Sequence, residues 1–128
     1  VFNYFTHLFW CMGINHLQWL NEEITKAAKA NQRVIVFNHF PISPTGDGYN
    51  LWNDSTLVEL LTSHKHVVAY MNGHKHRGNY AVHKVCHFIN SKGMVAGRTA
   101  TPFAIVKCYA DRIEVGGFGT EPDRNLPS

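Results

Sequence analysis

At 128 residues, with 45% hydrophobic and 16% charged side chains, the chain is long enough to bury one core and too short for two domains. Its formal charge of +3 comes from lysines and arginines scattered with no basic block, which argues against a nucleic-acid partner. No run of about eighteen apolar residues provides a membrane span, and the opening residues lack the charged-then-apolar pattern of a secretory leader.

In chain order, residues 1–6 read as a strand entered midway, and the absence of an initiator Met suggests a processed or truncated start. Beyond Gly13, Ile14, Leu17, Leu20, Ile24, Ala27 and Ala28 recur at helical steps, predicting an amphipathic helix over 16–30. Asn15 followed three residues on by Gln18 predicts a capping box at its start. Val34-Ile35-Val36-Phe37 is a β-branched run without polar alternation, as expected of a central parallel strand covered on both faces. Pro41, Pro44, Gly46 and Gly48 mark a loop. Asp54 or Ser55 then caps a second helix carrying Leu57, Val58, Leu60 and Leu61 and ending near His64. Val67-Val68-Ala69-Tyr70-Met71 completes a strand, helix, strand unit whose strands should be parallel. Beyond Gly78 short alternating strands are expected near 80–82, 85–89, 102–109 and 113–118, forming an antiparallel half with a hairpin turn at Ala110-Asp111-Arg112. The tail from Gly119 to Ser128 is expected to be an extended closing segment.

Cys11, Cys86 and Cys108 are an odd number with no Cys-x-x-Cys spacing, so neither a disulfide framework nor a zinc finger is indicated. They are expected to be buried thiols, and unpaired cysteines fit a reducing compartment such as the cytoplasm.

The nine histidines hold the chemistry. His39 lies two residues beyond the first parallel strand, in Asn38-His39-Phe40-Pro41; His74 and His76 follow the second, in Asn72-Gly73-His74-Lys75-His76. All three therefore emerge at the C-terminal edge, where loops converge over a rigid sheet and ligands bind. Imidazole suits Mn, Fe, Co, Ni and Zn, and an i, i+2 pair on an extended loop points both rings to one side. Gly73 is expected to supply the sharp turn that brings His74 in. His7, His16, His64, His66, His83 and His87 share that edge with no partner at ligand spacing and are assigned structural or surface roles. Lys75 and Arg77 are expected to be solvated loop charges or to attract a phosphate. Phe40, Tyr49 and Trp52 are expected either to pack under the loop or to stack on a base.

A strand followed by His-x-Pro and a later strand followed by Gly-His-x-His resembles the C-terminal signature of calcineurin-like metallophosphoesterases. Leu17-Gln18-Trp19-Leu20, Leu51-Trp52-Asn53, Gly93-Met94-Val95 and the segment Gly117 to Arg124 extend the likeness, toward the branch of manganese-dependent ADP-ribose/CDP-alcohol diphosphatases. The resemblance implies an α/β fold, the C-terminal half of a four-layer α/β-β/α sandwich with a mixed sheet and flanking helices followed by antiparallel strands. It implies that residues 1–128 form a single partial domain supplying roughly one sheet and its helices. It also implies that His39 and His74 bind one of two divalent transition-metal ions and His76 the other, with Mn favoured and Fe, Zn, Co or Ni as alternatives. In the family a metal-bridging hydroxide attacks phosphorus, so the implied activity is hydrolysis of phosphate esters or diphosphates, with nucleoside diphosphate-linked small molecules as substrates.

The family also requires Asp-x-His, Gly-Asp and Gly-Asn-His-Asp/Glu segments, and none precedes His39. Asp47, Asp54, Asp111 and Asp123 lie in a loop, a cap, a turn and the tail and are not expected to be ligands. The catalytic histidine and substrate-binding residues are therefore unassigned. The chain alone is expected to be inactive, to need the N-terminal half, and to associate through unpaired strand edges and an exposed apolar face. The competing expectation is a non-enzymatic metal-binding module. Neither reading calls for nucleic acid or a membrane.

Overall fold

The structure is a computed structural model and describes residues 11–46, 48–97 and 99–127. The expected opening strand over 1–6, His7 and Asp47 lie outside the described residues.

Helix α1 spans Ile14–Lys29, strand β1 Val34–Phe37, helix α2 Asp54–Ser63 and strand β2 Val67–Asn72. Strands β3 (Asn79–His83), β4 (Cys86–Asn90), β5 (Phe103–Cys108), β6 (Arg112–Phe118) and β7 (Arg124–Pro127) complete the chain. The first sheet has the order β1-β2-β4-β3, with β1 and β4 both parallel to β2 and β3 antiparallel to β4; the second is the antiparallel β5-β6-β7.

Strand β2 is buried along its whole length because both faces are covered. On one face Val67 and Tyr70 meet Leu20 and Ile24 of α1 and Leu57 and Leu61 of α2, together with Ile42 and Leu51 from the long loop. On the other, Val68, Ala69 and Met71 meet Ile113, Val115 and Leu126 of the second sheet. Val68 and Ala69 share a face because the register with β1 slips between Val34 and Ile35. The result is three layers: helices, mixed sheet, antiparallel sheet.

Several expectations are corrected. Helix α1 begins after Gly13 without any side-chain cap bond, so Asn15 lies inside the first turn and the capping box does not form. Helix α2 is preceded by Asn53, which makes no cap bond either; Asp54 is already helical and accepts from the Ser55 amide instead. Asn53 is engaged elsewhere: its side chain accepts from the Met12 amide and donates to the Met12 carbonyl, tying the entry of α1 to that of α2. Strand β1 is an edge strand among the described residues, half-buried rather than covered, with Phe37 57% exposed. The half beyond Gly78 is not wholly antiparallel, since β4 docks on β2 in parallel and joins the first sheet. The chain accordingly contributes to two sheets and not one. The tail forms strand β7 on β6. Of the cysteines only Cys86 is buried; Cys11 and Cys108 are exposed. No helix among the described residues is long and apolar enough to cross a membrane.

Candidate metal centre

β1 and β2 are parallel, so the segments after Phe37 and Asn72 leave the sheet at the same edge. Backbone bonds then knit the two loops together: the Asn38 amide donates to the Met71 carbonyl and the Gly73 amide to the His39 carbonyl. His39 and His74 are adjacent as a consequence, with His74 Nδ1 and His39 Nε2 3.3 Å apart and their rings nearly edge to face. Phe40 packs beside both rings and against the helix-side core, and Tyr49 meets the His74 ring edge-on at 6.2 Å.

The turn that delivers His74 differs from the expected one. Gly73 keeps an ordinary backbone; His74 itself adopts the left-handed conformation, at φ 67°. Lys75 donates its amide to Gly73 and Gly78 donates to Lys75, so Gly73 to Gly78 is a tight double turn rather than an extended loop. The His76 ring packs against Gly93, where a Cβ would come within 2.7 Å of two ring carbons. His39 and His74 converge, and among the described residues no group of three or more His, Cys, Asp or Glu side chains is gathered closely enough to hold a metal ion.

The donor set fits shared coordination at one point. Two imidazole nitrogens each about 2.1 Å from one ion lie about 3.0–3.4 Å apart between octahedral and tetrahedral angles; the observed 3.3 Å falls in that interval. Desolvation, followed by the neighbouring His39 and His76, holds the pKa of His74 below its ordinary value and so favours the neutral, ligand-competent ring. Among the described residues no carboxylate joins the two histidines in a metal-holding group. Asp54 bonds to Asn50, Asp111 to Arg112 and Asp123 to the Gly117 amide, so the described aspartates are engaged away from the histidines.

Of the remaining expected features, Lys75 places its ammonium 5.8 Å from the Tyr49 ring centre, while Trp52 projects outward and is 84% exposed. Among the other histidines, His64 contacts Asn21, and His87 is buried between the Tyr80 hydroxyl and the Pro127 carbonyl. The sequence reading missed Asn72 and Asn90, two buried amides at the ends of β2 and β4. Their signal was present: Asn72 closes an otherwise apolar strand, and Asn90 follows the apolar pair Phe88-Ile89.

No family model matches the chain. It is 32% identical over 112 residues to the manganese-dependent ADP-ribose/CDP-alcohol diphosphatase of Mus musculus and 31% identical to that of Homo sapiens. Each match covers 84% of this chain and 33% of the relative. The chain thus spans about a third of the length of the curated relatives it matches. A crystal structure of a dimetal phosphatase from Danio rerio superposes with a TM-score of 0.86 at 26% identity, covering 91% of this chain and 38% of that one. The likeness inferred from the motifs holds over most of the chain.

Proposed function

We propose, from the premise that this chain corresponds to the C-terminal portion of a calcineurin-like metallophosphoesterase, that it supplies part of a two-metal centre hydrolysing phosphate esters or diphosphates. The observation that carries this reading is the convergence of His39 Nε2 and His74 Nδ1 at the shared edge of β1 and β2. His39 and His74 would hold one divalent ion and His76 the second. Manganese is the favoured metal and nucleoside diphosphate-linked small molecules the favoured substrates, because the relatives bear the name manganese-dependent ADP-ribose/CDP-alcohol diphosphatase. Bound divalent ions supply Lewis acidity and lower the pKa of a water nucleophile. The chain's own residues orient the imidazoles and keep His74 neutral.

Among the described residues the three imidazoles make an incomplete site, so this stretch works with residues equivalent to the other two thirds of its relatives. A chimera tests the proposal: the matching segment of the Danio rerio phosphatase is replaced by this chain and assayed with Mn²⁺ against ADP-ribose and a CDP-alcohol. The expected result is Mn-dependent hydrolysis that His74→Ala abolishes. A folded chimera without such hydrolysis would overturn the proposal. Turnover by the 128-residue chain alone would overturn its incompleteness.

A second reading, a metal-binding module without catalysis, draws on the lack of any third ligand side chain gathered with His39 and His74 among the described residues. It expects metal uptake by the chain and no rescue of activity in the chimera.

A further inference from the structure

Asn72 closes β2 and Asn90 closes β4, and the two stand directly opposite in the parallel register. Both are buried, and their amides join: Asn72 Nδ2 donates to Asn90 Oδ1 at 3.0 Å. Asn72 Nδ2 also donates to the Gly73 carbonyl at 2.9 Å. Asn90 Nδ2 donates to the Lys75 carbonyl at 2.9 Å and to the Ser91 carbonyl at 2.8 Å. The amide orientations follow from chemistry, because each Nδ2 faces carbonyl oxygens and a flipped amide would set oxygen against oxygen. The backbone closes the same circuit, with the Ser91 amide donating to the Asn72 carbonyl and the Gly93 amide to the His76 carbonyl.

Every carbonyl that flanks His74 is thereby held from the sheet side. Gly73 is fixed by Asn72 on one side of that histidine and Lys75 by Asn90 on the other. His76 is held by a different part of the frame, its carbonyl by the Gly93 amide and its ring by the bare face of Gly93.

We propose that the Asn72–Asn90 amide pair is the positioning device of the His74 turn and that Gly93 is the seat of the His76 ring, so that metal affinity depends on three residues that donate nothing to the ion. The proposal rests on the metal-ligand reading of the histidines. Asn72 and Asn90 are positioning residues, and their removal should loosen His74 without removing any donor atom. Outer-shell partners of this kind are worth about 10–100-fold in metal affinity.

The test titrates Co²⁺ into the 128-residue chain and follows its visible absorption, with histidine imidazole resonances recorded on the metal-free protein. Asn72→Ala and Asn90→Ala are expected to weaken Co²⁺ binding about 10–100-fold and to shift the His74 ring resonances. Gly93→Ala is expected to shift His76 alone. Ile113→Val, a change in the core between the sheets, lowers stability away from the turn and should bind Co²⁺ as the parent does. Asparagine variants that bind Co²⁺ like the parent overturn the proposal, as does an equal loss in Ile113→Val, which would make the effect one of general stability. If the parent takes up no Co²⁺, or His74→Ala binds as well as the parent, the metal reading falls. The positioning device is then judged on the resonances: shifted His74 signals in the asparagine variants support it, and unchanged ones overturn it.

Discussion

The Tyr70 hydroxyl donates to the Phe40 carbonyl at 2.7 Å, spanning 30 positions of sequence. This one bond ties the fully buried strand β2 to the residue beside His39. Burial drives the Tyr70 pKa well above the usual phenol range, so the hydroxyl stays protonated and keeps donating in alkaline solution. Tyr70→Phe removes the donor and keeps the ring. The expected cost is about 1 kcal/mol of stability by urea denaturation, accompanied by weaker metal binding through a looser His39 loop. A stability loss with unchanged metal affinity would separate the loop from the site.

If His39 and His74 hold one ion, removing either should cost nearly as much as removing both. Calorimetric titration of Mn²⁺ or Co²⁺ into His39→Ala, His74→Ala and the double variant should give clearly non-additive losses. Additive losses would show that the two rings bind independently, against their 3.3 Å approach.

Leu57 is fully buried between α2 and the mixed sheet. Leu57→Ala should cost about 2–5 kcal/mol in chemical denaturation, combining lost transfer energy with a residual cavity. Trp52→Ala, at an exposed side chain, should stay within about 0.5 kcal/mol.

Cys86 is buried, and desolvation pushes its thiol pKa up to about 12, whereas Cys11 and Cys108 are exposed. A thiol reagent at pH 8 should modify two cysteines in the folded chain and the third only on unfolding. The sign of the pH effect follows from linkage. Below the unfolded thiol's pKa both states are protonated and the contribution is complete; as pH rises from about 9 toward 12 the unfolded state ionises first and stability falls. Urea midpoints from pH 8 to 11 should decline, and Cys86→Ala should flatten this part of the decline.

The elements with regular periodicity were legible before any coordinates. The stripe from Leu17 to Ala28 gave α1, and two β-branched runs gave β1 and β2 with their parallel pairing. The failures share a cause. Asn15 offers a cap by residue type, yet backbone entry at Gly13 decides where the helix begins. β3 and β4 look like an isolated hairpin because their mutual contact is local; the pairing of β4 with β2 is non-local, and alternation within a short strand carries no trace of it. The valines and isoleucine of β1 signalled two covered faces, but among the described residues that strand lies at an edge. At the site, the shared edge of the three histidines followed from strand direction. Strand direction alone did not say which two of them meet; the family resemblance paired His39 with His74, and their approach in the structure depends on the left-handed turn at His74 and the amide frame beneath it.

That left-handed turn sets stability against function at a single position. A non-glycine residue at φ 67° carries a conformational penalty of about 1 kcal/mol or more that glycine would escape. His74→Gly should therefore make the metal-free chain harder to unfold while deleting the imidazole opposite His39. Selection for thermal endurance alone would erode this histidine early, and its retention in a stabilised lineage would record a demand other than stability.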